Sequence, residues 1–276
     1  MKRSGQKVAV RLIATDLDGT FLDGDSQYDA NRLRQLLKAC KEKGIYFVVA
    51  SGRSLKSVKS VFADFVDDVI FLGENGAVAE YQGQILYEEL MSKDLYLTIV
   101  QKIEDSHFQN QEMIHLSSKS GAYILSTIHP EYHAFLAHYY PVMHVVESFS
   151  DVDDEIYKVG ANFEAGELHE ASQWLTDTIS GVISMTSGYE CLDVMSEHVN
   201  KGTALRHLCH ALGVTADEVV AFGDNSNDAE MLKFAGTAVV PENARLTIQE
   251  LADIVIGDHK TGSVINYMEE IVCPSN

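Results

Sequence analysis

The chain has 276 residues, of which 21 are Lys or Arg and 41 are Asp or Glu, so its formal net charge is −20. Nucleic acids and anionic membranes select basic surfaces, so we expect the chain to bind neither. It has no apolar run of about 18 residues, the length that predicts a membrane span. At roughly 150 residues per domain, the length indicates about two domains.

The first third of the chain alternates short apolar runs with helical patterns. Three runs rich in aliphatic and β-branched side chains indicate buried strands: 8–14, 45–50 and 69–72. Between the first two runs, apolar residues recur at helical spacing from Asp29, which can cap a helix, to Gly44, which can end it. A second helix is predicted around residues 55–62. This order is typical of a parallel sheet with crossover helices.

The same alternation returns near the end of the chain. Predicted helices and strands follow one another there, at 201–212, 219–222, 228–235, 238–240 and 254–256. Residues 84–187 differ, because aromatic residues and histidines cluster there and the periodicity is mixed. We therefore predict an α/β protein in which residues 84–187 form a separate, inserted domain.

Two carboxylates follow the first predicted strand, in the segment Asp16-Leu17-Asp18-Gly19-Thr20. In open α/β sheets ligands bind beyond the carboxyl ends of the strands, so both side chains can reach such a site. A calcium-binding EF-hand is excluded, because Phe21 stands where that loop needs glycine. The glycine motifs of dinucleotide-binding and P-loop proteins do not occur. An acidic turn without function is the alternative.

Three further segments lie at equivalent places in the predicted pattern. The Ser-Gly-Arg segment at 51–53 follows the second strand and offers a hydroxyl, a close backbone approach and a cation. Lys201 opens a helix, where the lysine and the exposed N–H groups favour an anion. The segment 223–228, Gly-Asp-Asn-Ser-Asn-Asp, adds two carboxylates and two amides. Each alone could be a cap, a solvated charge or a turn, but together they concentrate acidic and anion-binding groups at one edge of one sheet.

In chain order these segments read DxDGT, SGR, KG and GDxxND. This constellation resembles the haloacid dehalogenase superfamily of phosphatases and phosphotransferases. The large insertion and the Glu-Asn-Gly-Ala segment at 74–77 resemble its Cof-type branch, and the resemblance covers the whole chain. It implies an α/β fold with a Rossmann-like parallel-sheet core, residues 1–83 and 188–276, and an inserted α/β cap domain, residues 84–187.

The resemblance also implies a role for each motif residue. Asp16 is the expected nucleophile, which forms an aspartyl-phosphate, and Asp18 is the expected general acid and base. The residues expected to bind the phosphoryl group are Ser51, Gly52, Lys201 and Asn227. The residues expected to hold Mg²⁺ are Asp16, Asp18 through its backbone carbonyl, Asp224 and Asp228.

Elementary chemistry favours the same assignment. A carboxylate nucleophile divides a difficult hydrolysis into two easier displacements, and a second carboxyl nearby can move a proton. Mg²⁺ prefers oxygen ligands. Clustered carboxylates do not easily all stay ionised unless cations lie among them, so the acidic site itself calls for the metal and for Lys201.

The predicted function is therefore a Mg²⁺-dependent phosphatase of small phosphorylated metabolites, with a sugar phosphate as the leading expectation and a nucleotide or cofactor phosphate next. A phosphomutase uses the same motifs and stays open as an alternative. A phospho-accepting regulator fits less well, because Asp18 is placed to promote turnover. The four cysteines are scattered without a CxxC pair, which predicts neither a disulfide framework nor a zinc site and indicates a cytoplasmic location.

For three further features of the sequence, a structural role is as good an interpretation as a functional one, or a better one. Asn75-Gly76 is either a hairpin turn or a contact in the site. His129 and His133 could hold zinc on a helix face, but Pro130 suits the first position of a helix, so we predict a surface helix. Arg53 is left outside the catalytic set.

Overall fold

A computed structural model describes residues 8–108, 113–164, 166–188 and 191–274. In chain order its strands are β1 (Leu12–Thr15), β2 (Tyr46–Ala50), β3 (Ile70–Gly73), β4 (Val78–Tyr81), β5 (Gln84–Glu88), β6 (Ile114–Ser118), β7 (Ala122–Leu125), β8 (Met143–Val146), β9 (Ile156–Asn162), β10 (Val182–Gly188), β11 (Cys191–Ser196), β12 (Val219–Phe222), β13 (Thr237–Pro241) and β14 (Ile254–Ile256). Its α-helices are α1 (Ala30–Lys43), α2 (Leu55–Val61), α3 (Lys93–Glu104), α4 (Pro130–Leu136), α5 (Leu168–Thr178), α6 (Lys201–Leu212), α7 (Ala229–Phe234), α8 (Leu246–Gln249) and α9 (Ser263–Val272).

The larger sheet has eight strands in the order β14-β13-β12-β1-β2-β3-β4-β5. The strands from β14 to β3 run parallel, and β4 and β5 add an antiparallel edge. Helices α1, α2 and α9 pack on one face, and helices α6, α7 and α8 pack on the other. Parallel strands covered on both faces are apolar throughout, which is why the sequence marks them so clearly. The predicted α/β fold with a parallel core sheet is confirmed, and we call this unit the core.

Local signals set the ends of the core elements. Asp29 accepts hydrogen bonds from the N–H groups of Asn31 and Arg32 at the start of α1, and Gly44 ends that helix in the left-handed conformation, with φ at 67°. Both ends agree with the prediction. The first strand is shorter than predicted: it begins at Leu12 instead of residue 8, at the point where β1 first pairs with β2 and β12.

The second sheet has six strands in the order β10-β11-β9-β6-β7-β8, and we call the unit built on it the cap. Helices α3 and α5 cover one of its faces with an apolar core that includes Ile99 and Leu175. Because side chains alternate across a strand, the other face carries the intervening residues. Buried polar side chains at such intervening positions are His115, Ser117, Lys158 and Asp193.

The chain passes from the core sheet to the cap sheet, and back again, at residues that differ from the predicted ends of the insertion, 84 and 187. Strand β5, Gln84–Glu88, pairs with β4 in the core, and strand β11, Cys191–Ser196, pairs with β9 in the cap. We therefore propose that the inserted unit begins after Glu88 and ends at Ser196. Among the helices that the structure describes, none is long and apolar enough to cross a membrane.

Candidate active site

Asp16 stands directly after β1, at the carboxyl end of the core sheet. Its backbone N–H donates to the carbonyl of Phe222 in β12 at 3.0 Å, which holds the two strand ends side by side. Gly19 then turns the chain with φ at 83°, and a Cβ there would lie 2.6 Å from Oδ2 of Asp224. The hydroxyl of Thr20 donates to Oδ1 of Asp224 at 2.6 Å. The turn that follows β1 thus packs directly on the acidic loop that follows β12.

Lys201 is the first residue of α6, and its side chain is fully buried between two carboxylates. Its Nζ lies 2.5 Å from Oδ1 of Asp16 and 2.6 Å from Oδ1 of Asp228. The other oxygen of Asp228 accepts the backbone N–H groups of Asp224 and Asn225, each at 3.0 Å. We call Lys201, Asp16, Asp224 and Asp228 the core cluster. The predicted convergence of these residues is therefore present in the structure.

The core cluster offers oxygen ligands to a cation. Asp16, Asp224 and Asp228 each provide a carboxylate oxygen, and these oxygens lie within 4.8 Å of one another. Burial raises the pKa of Asp16 well above its usual value; Lys201 opposes this shift, and the neighbouring carboxylates add to it. Burial also raises the pKa of Asp224. Hard oxygen donors that are reluctant to ionise together suit a divalent cation, which favours their charged forms.

Lys201 keeps its charge in this setting. Burial by itself lowers the pKa of the ammonium group, but Asp16 and Asp228 outweigh burial and raise the pKa above its ordinary value. The lysine is therefore a permanent positive charge beside Asp16. The core cluster still holds more carboxylates than cations, so one further cation fits its charge as well as its geometry.

A pocket lies between the core and the cap, beside the core cluster. From the core it is lined by Asp16, Asp18, Gly52, Arg53, Ser54, Asn225 and Asn227, and from the cap by His115, Phe135, Tyr139, Tyr140, Lys158, Thr186, Cys191 and Asp193. The carboxylate of Asp18 accepts from Nε and Nη2 of Arg53, at 2.8 and 2.5 Å. Arg53, which the sequence analysis leaves outside the catalytic set, therefore orients Asp18, the predicted general acid and base.

Three of the predicted phosphate-binding residues, Ser51, Gly52 and Asn227, each have a different hydrogen-bond partner. Ser51 is buried after β2, and its Oγ accepts the backbone N–H of Arg53 at 3.2 Å. The carbonyl of Gly52 accepts from Nζ of Lys158 at 2.8 Å, across the boundary between core and cap. Asn227 donates from Nδ2 to Oδ1 of Asn75 at 3.0 Å.

A second group of buried charges joins the cap to the core. Nζ of Lys158 lies 2.9 Å from Oδ2 of Asp193 and 3.3 Å from Oε2 of Glu74. Asn75 donates to the same Oδ2 of Asp193 at 2.8 Å, and Ser117 donates to Oε1 of Glu74 at 2.9 Å. We call Lys158, Asp193 and Glu74 the cap cluster. Because Glu74 and Asn75 belong to the core, this cluster fixes the cap over the pocket.

His115 lies on the same face of the cap sheet and is buried as a neutral imidazole. Its Nδ1 and Nε2 are hydrogen-bonded to the hydroxyls of Tyr132 and Tyr140, at 2.8 and 3.2 Å. Burial, with a smaller effect of Lys158, lowers its pKa to about 3. Gly160 faces the ring from β9, where a Cβ would lie 2.0 Å from Cε1 of His115, so only glycine leaves room for it.

Comparison with known proteins identifies the family. Residues 13–268 match the family model of haloacid dehalogenase-like hydrolases. The chain belongs to this family. The predicted family and the predicted enzyme class, a hydrolase of the haloacid dehalogenase type, are therefore confirmed.

Named relatives of this hydrolase are phosphatases. It is 28% identical over 268 residues to the 5-amino-6-(5-phospho-D-ribitylamino)uracil phosphatase YbjI of Escherichia coli, with 96% of this chain and 97% of that protein covered. It is 30% identical over 271 residues to an HMP-PP phosphatase of Yersinia pseudotuberculosis, with 94% of each chain covered. The crystal structure of SMU.1108c from Streptococcus mutans superposes with a TM-score of 0.89 at 30% identity and covers 95% of this hydrolase and 98% of that chain.

Sequence reasoning missed the cap cluster of this hydrolase. Lys158 and Asp193 alternate with apolar residues along β9 and β11, a pattern that ordinarily indicates a solvent-facing side of a sheet. The one available signal was the Glu-Asn-Gly segment at 74–76. Both interpretations of it hold: the segment connects antiparallel β3 and β4, and Asn75, at φ 56°, contacts Asn227 and Asp193.

The segment with the paired histidines forms a helix, as predicted: His133 lies within α4 and His129 directly precedes it. Pro130 is the first residue of α4, and His129 caps it by accepting the N–H of Glu131 at 3.3 Å. Within the described residues, the only group of three or more His, Cys, Asp or Glu side chains able to hold a metal is Asp16, Asp224 and Asp228. The histidines are not part of it.

Proposed function

We propose that this hydrolase is a Mg²⁺-dependent phosphatase that cleaves phosphate monoesters of small metabolites through a phosphorylated Asp16. The observation that carries the proposal is that carboxylate oxygens of Asp16, Asp224 and Asp228 meet, and that the buried ammonium group of Lys201 contacts two of these residues, Asp16 and Asp228. The pocket beside these residues opens between two units, where ligand sites are common.

The residues proposed to hold Mg²⁺ are Asp16 and Asp224, with Asp228 and the backbone carbonyl of Asp18 completing the set. When bound, the ion supplies positive charge to the phosphoryl oxygens and allows the acidic cluster to stay ionised. Lys201 contributes a second positive charge beside Asp16. Ser51, the amide of Gly52 and the second N–H of the Asn227 side chain are proposed to donate hydrogen bonds to the phosphoryl group.

The proposed reaction has two displacements. A carboxylate oxygen of Asp16 forms a bond to phosphorus as the bond between phosphorus and the ester oxygen breaks. Asp18, in its protonated form and with one oxygen released from Arg53, gives its proton to the departing oxygen. Asp18 then accepts a proton from water, whose oxygen attacks phosphorus. The bond to Asp16 breaks, inorganic phosphate leaves and the free carboxylate returns. Phosphoryl transfer of this kind depends mainly on position and charge, which the buried core cluster supplies.

The substrate class is proposed to be a small phosphorylated metabolite, with a sugar phosphate first and a nucleotide or cofactor phosphate next. The names of the relatives support this range, since one is a phosphatase of a phosphorylated ribitylamino compound. We further propose that the enzyme acts in the cytoplasm, which the free thiols of Cys40, Cys209 and Cys273 support.

The test is phosphate release by the purified protein with Mg²⁺, from p-nitrophenyl phosphate and from a panel of sugar, nucleotide and cofactor phosphates. Steady release of inorganic phosphate is the expected result. No release from any ester would overturn the proposal. Conversion of a hexose 1-phosphate into the 6-phosphate without free phosphate would identify a phosphomutase instead.

A further inference from the structure

Asp193 is a buried carboxylate that the proposed reaction does not use. On strand β11 its neighbours Leu192 and Val194 belong to the apolar core of the cap, whereas Cys191 and Asp193 line the pocket. Only 2% of Asp193 is exposed. A carboxylate that is so little hydrated needs partners for both of its oxygens.

One oxygen of Asp193 has two partners and the other has none in the described part of the chain. Oδ2 accepts from Lys158 at 2.9 Å and from Asn75 at 2.8 Å. Oδ1 accepts no hydrogen bond from a described residue. Oδ1 is also not fully buried, because among those residues the fully buried side-chain nitrogen and oxygen atoms without a hydrogen bond are Oε2 of Glu74 and Oγ of Ser184. Oδ1 is therefore a hydrogen-bond acceptor open to the pocket.

Two bridges fix this acceptor relative to the proposed phosphate site. Asn75 donates to Asp193 and accepts from Asn227. Lys158 donates both to Asp193 and to the carbonyl of Gly52. Asp193 therefore lies one side chain away from each of two proposed phosphate-binding residues, so a small leaving group bonded to the phosphoryl group can reach it.

The cap cluster, with Asp193 itself counted, holds more carboxylates than cations. Within the cap cluster, the single cation Lys158 faces the carboxylates of Asp193 and Glu74, and all three side chains are at most 4% exposed. Buried charges are weakly screened by solvent and salt. A second anionic group on the leaving group would meet this excess of negative charge at short range, and like charges placed together oppose binding strongly.

We propose that Asp193 is a specificity-determining residue whose Oδ1 accepts a hydrogen bond from a hydroxyl or amino group of the leaving group. The preferred substrates are then phosphate monoesters of neutral, hydroxyl- or amino-bearing compounds. Esters that carry a carboxylate or a second phosphate on the leaving group are rejected. This inference deepens the proposed phosphatase function and rests on it.

The first test uses the wild-type enzyme with Mg²⁺ and matched pairs of esters. Glycerol 3-phosphate is compared with 3-phosphoglycerate, and ribose 5-phosphate with ribose 1,5-bisphosphate, with p-nitrophenyl phosphate as a reference. We expect kcat/KM to be about tenfold or more higher for the neutral leaving group, because like-charge contact disfavours the anionic partner. Equal values, or preference for the anionic partner, would overturn the inference alone. Failure to hydrolyse even p-nitrophenyl phosphate would overturn the proposed function, and this inference with it.

The second test is the variant Asp193→Asn. Lys158 and Asn75 are both donors, so the amide oxygen stays against them and the NH₂ group replaces Oδ1, which turns an acceptor into a donor. We expect the ratio of kcat/KM for glycerol 3-phosphate to kcat/KM for p-nitrophenyl phosphate to fall about 10- to 100-fold, as for loss of a hydrogen bond to a charged group.

The ratio does not depend on the fraction of folded enzyme, so it separates recognition from stability. Asp153→Asn, the same change at an exposed carboxylate of the cap, is the matched control and should leave the ratio as in the wild type. An unchanged ratio in Asp193→Asn, including an equal loss on both substrates, would assign Asp193 a structural role and overturn the inference. If that variant does not fold, the matched pairs of esters decide.

Discussion

The core cluster and the cap cluster each contain a buried lysine that pairs with two carboxylates, and they differ in their total number of carboxylates. In each, a buried lysine pairs with two carboxylates: Lys201 with Asp16 and Asp228, and Lys158 with Asp193 and Glu74. The core cluster adds a third carboxylate, Asp224, whose oxygen converges with the others within 4.8 Å. The core cluster therefore has one more carboxylate than the cap cluster, and its three carboxylate oxygens could hold a cation. The cap cluster links the cap to the core.

The neighbours of the two clusters reinforce this difference. In the cap cluster, neutral donors on Ser117 and Asn75 occupy carboxylate oxygens and tie the cap to the core. In the core cluster, burial and mutual repulsion raise the pKa of Asp16. We therefore expect substitutions and chelation at the core cluster to affect turnover, and substitutions at the cap cluster to affect stability and substrate choice.

The largest expected effect is at the proposed nucleophile. Asp16→Asn should lower kcat by at least about a thousandfold, because an amide cannot form the phosphorylated intermediate. Phosphate release measures the loss, and circular dichroism checks that the fold remains. Asp25→Asn, at an exposed aspartate nearby, is the control. Activity near that of the wild type would refute the role of Asp16.

Removal of divalent cations should reduce turnover to background, because the excess of carboxylates in the core cluster then lacks its cation. Activity is measured after dialysis against EDTA and again after Mg²⁺ is added back, which should restore it. Asp224→Asn should raise the Mg²⁺ concentration needed for half-maximal activity by about tenfold or more. Glu74→Gln, in the cap cluster, should not raise that concentration. Full activity after exhaustive chelation would contradict the metal site.

A substitution in the cap cluster should lower the free energy of unfolding. Lys158→Met leaves Asp193 and Glu74 buried without their cation, and breaking such a pair costs about 3–5 kcal/mol of the free energy of unfolding. Urea denaturation measures it. Lys38→Met, which removes an exposed lysine of α1, is the control and should change the free energy of unfolding little. Loss of stability no greater than that of the control would show that Lys158 does not hold the cap.

The effect that is smallest over a single pH unit is a pH dependence from His115. Its pKa is about 3 in the folded protein against 6.5 ordinarily, so between these values the unfolded chain binds more protons. The contribution of His115 to stability is complete above pH 6.5 and falls by about 1.4 kcal/mol per unit as the pH drops toward 3.

The measurement is urea denaturation of the wild type and of His115→Gln at several pH values in this window. The free energy of unfolding of the wild type should fall more steeply with decreasing pH than that of the variant. Parallel slopes for the two proteins would mean that the imidazole is not held neutral by burial.

The same comparison explains what the sequence could predict. Strand β12 is buried on both faces and is a continuous apolar run, so residues 219–222 are predicted with the bounds that the structure has. Strand β14 also has its predicted bounds, 254–256, although it lies at the edge of the sheet and Val255 is exposed. Parallel strands end at one edge of a sheet, so the meeting of Asp16, Lys201 and Asp224 followed from their places after strands or at a helix start. Helix caps and turns depend on residues that are close in sequence, so they too can be predicted from the sequence.

The cap cluster lay beyond such reasoning for a physical reason. Lys158 and Asp193 belong to strands in which polar and apolar residues alternate. Such a pattern indicates that the strand has two different faces, but it does not indicate what covers each face. Their burial depends on the docking of the core, through Asn75 and the carbonyl of Gly52, on the polar face of the cap sheet. The ends of the insertion that we propose differ from the predicted 84 and 187 for a similar reason, because strand pairing decides to which sheet β5 and β11 belong.

The central claim is that Asp16 carries the phosphoryl group during turnover. The most direct measurement is rapid acid quenching of the Asp18→Asn variant with p-nitrophenyl phosphate and Mg²⁺, followed by mass spectrometry of its peptides. This leaving group needs little protonation, so the first displacement continues while activation of water is slow. The expected result is one added phosphoryl group on the peptide that contains Asp16. Phosphate release while Asp16 stays unmodified, or a phosphoryl group on another residue, would contradict the claim.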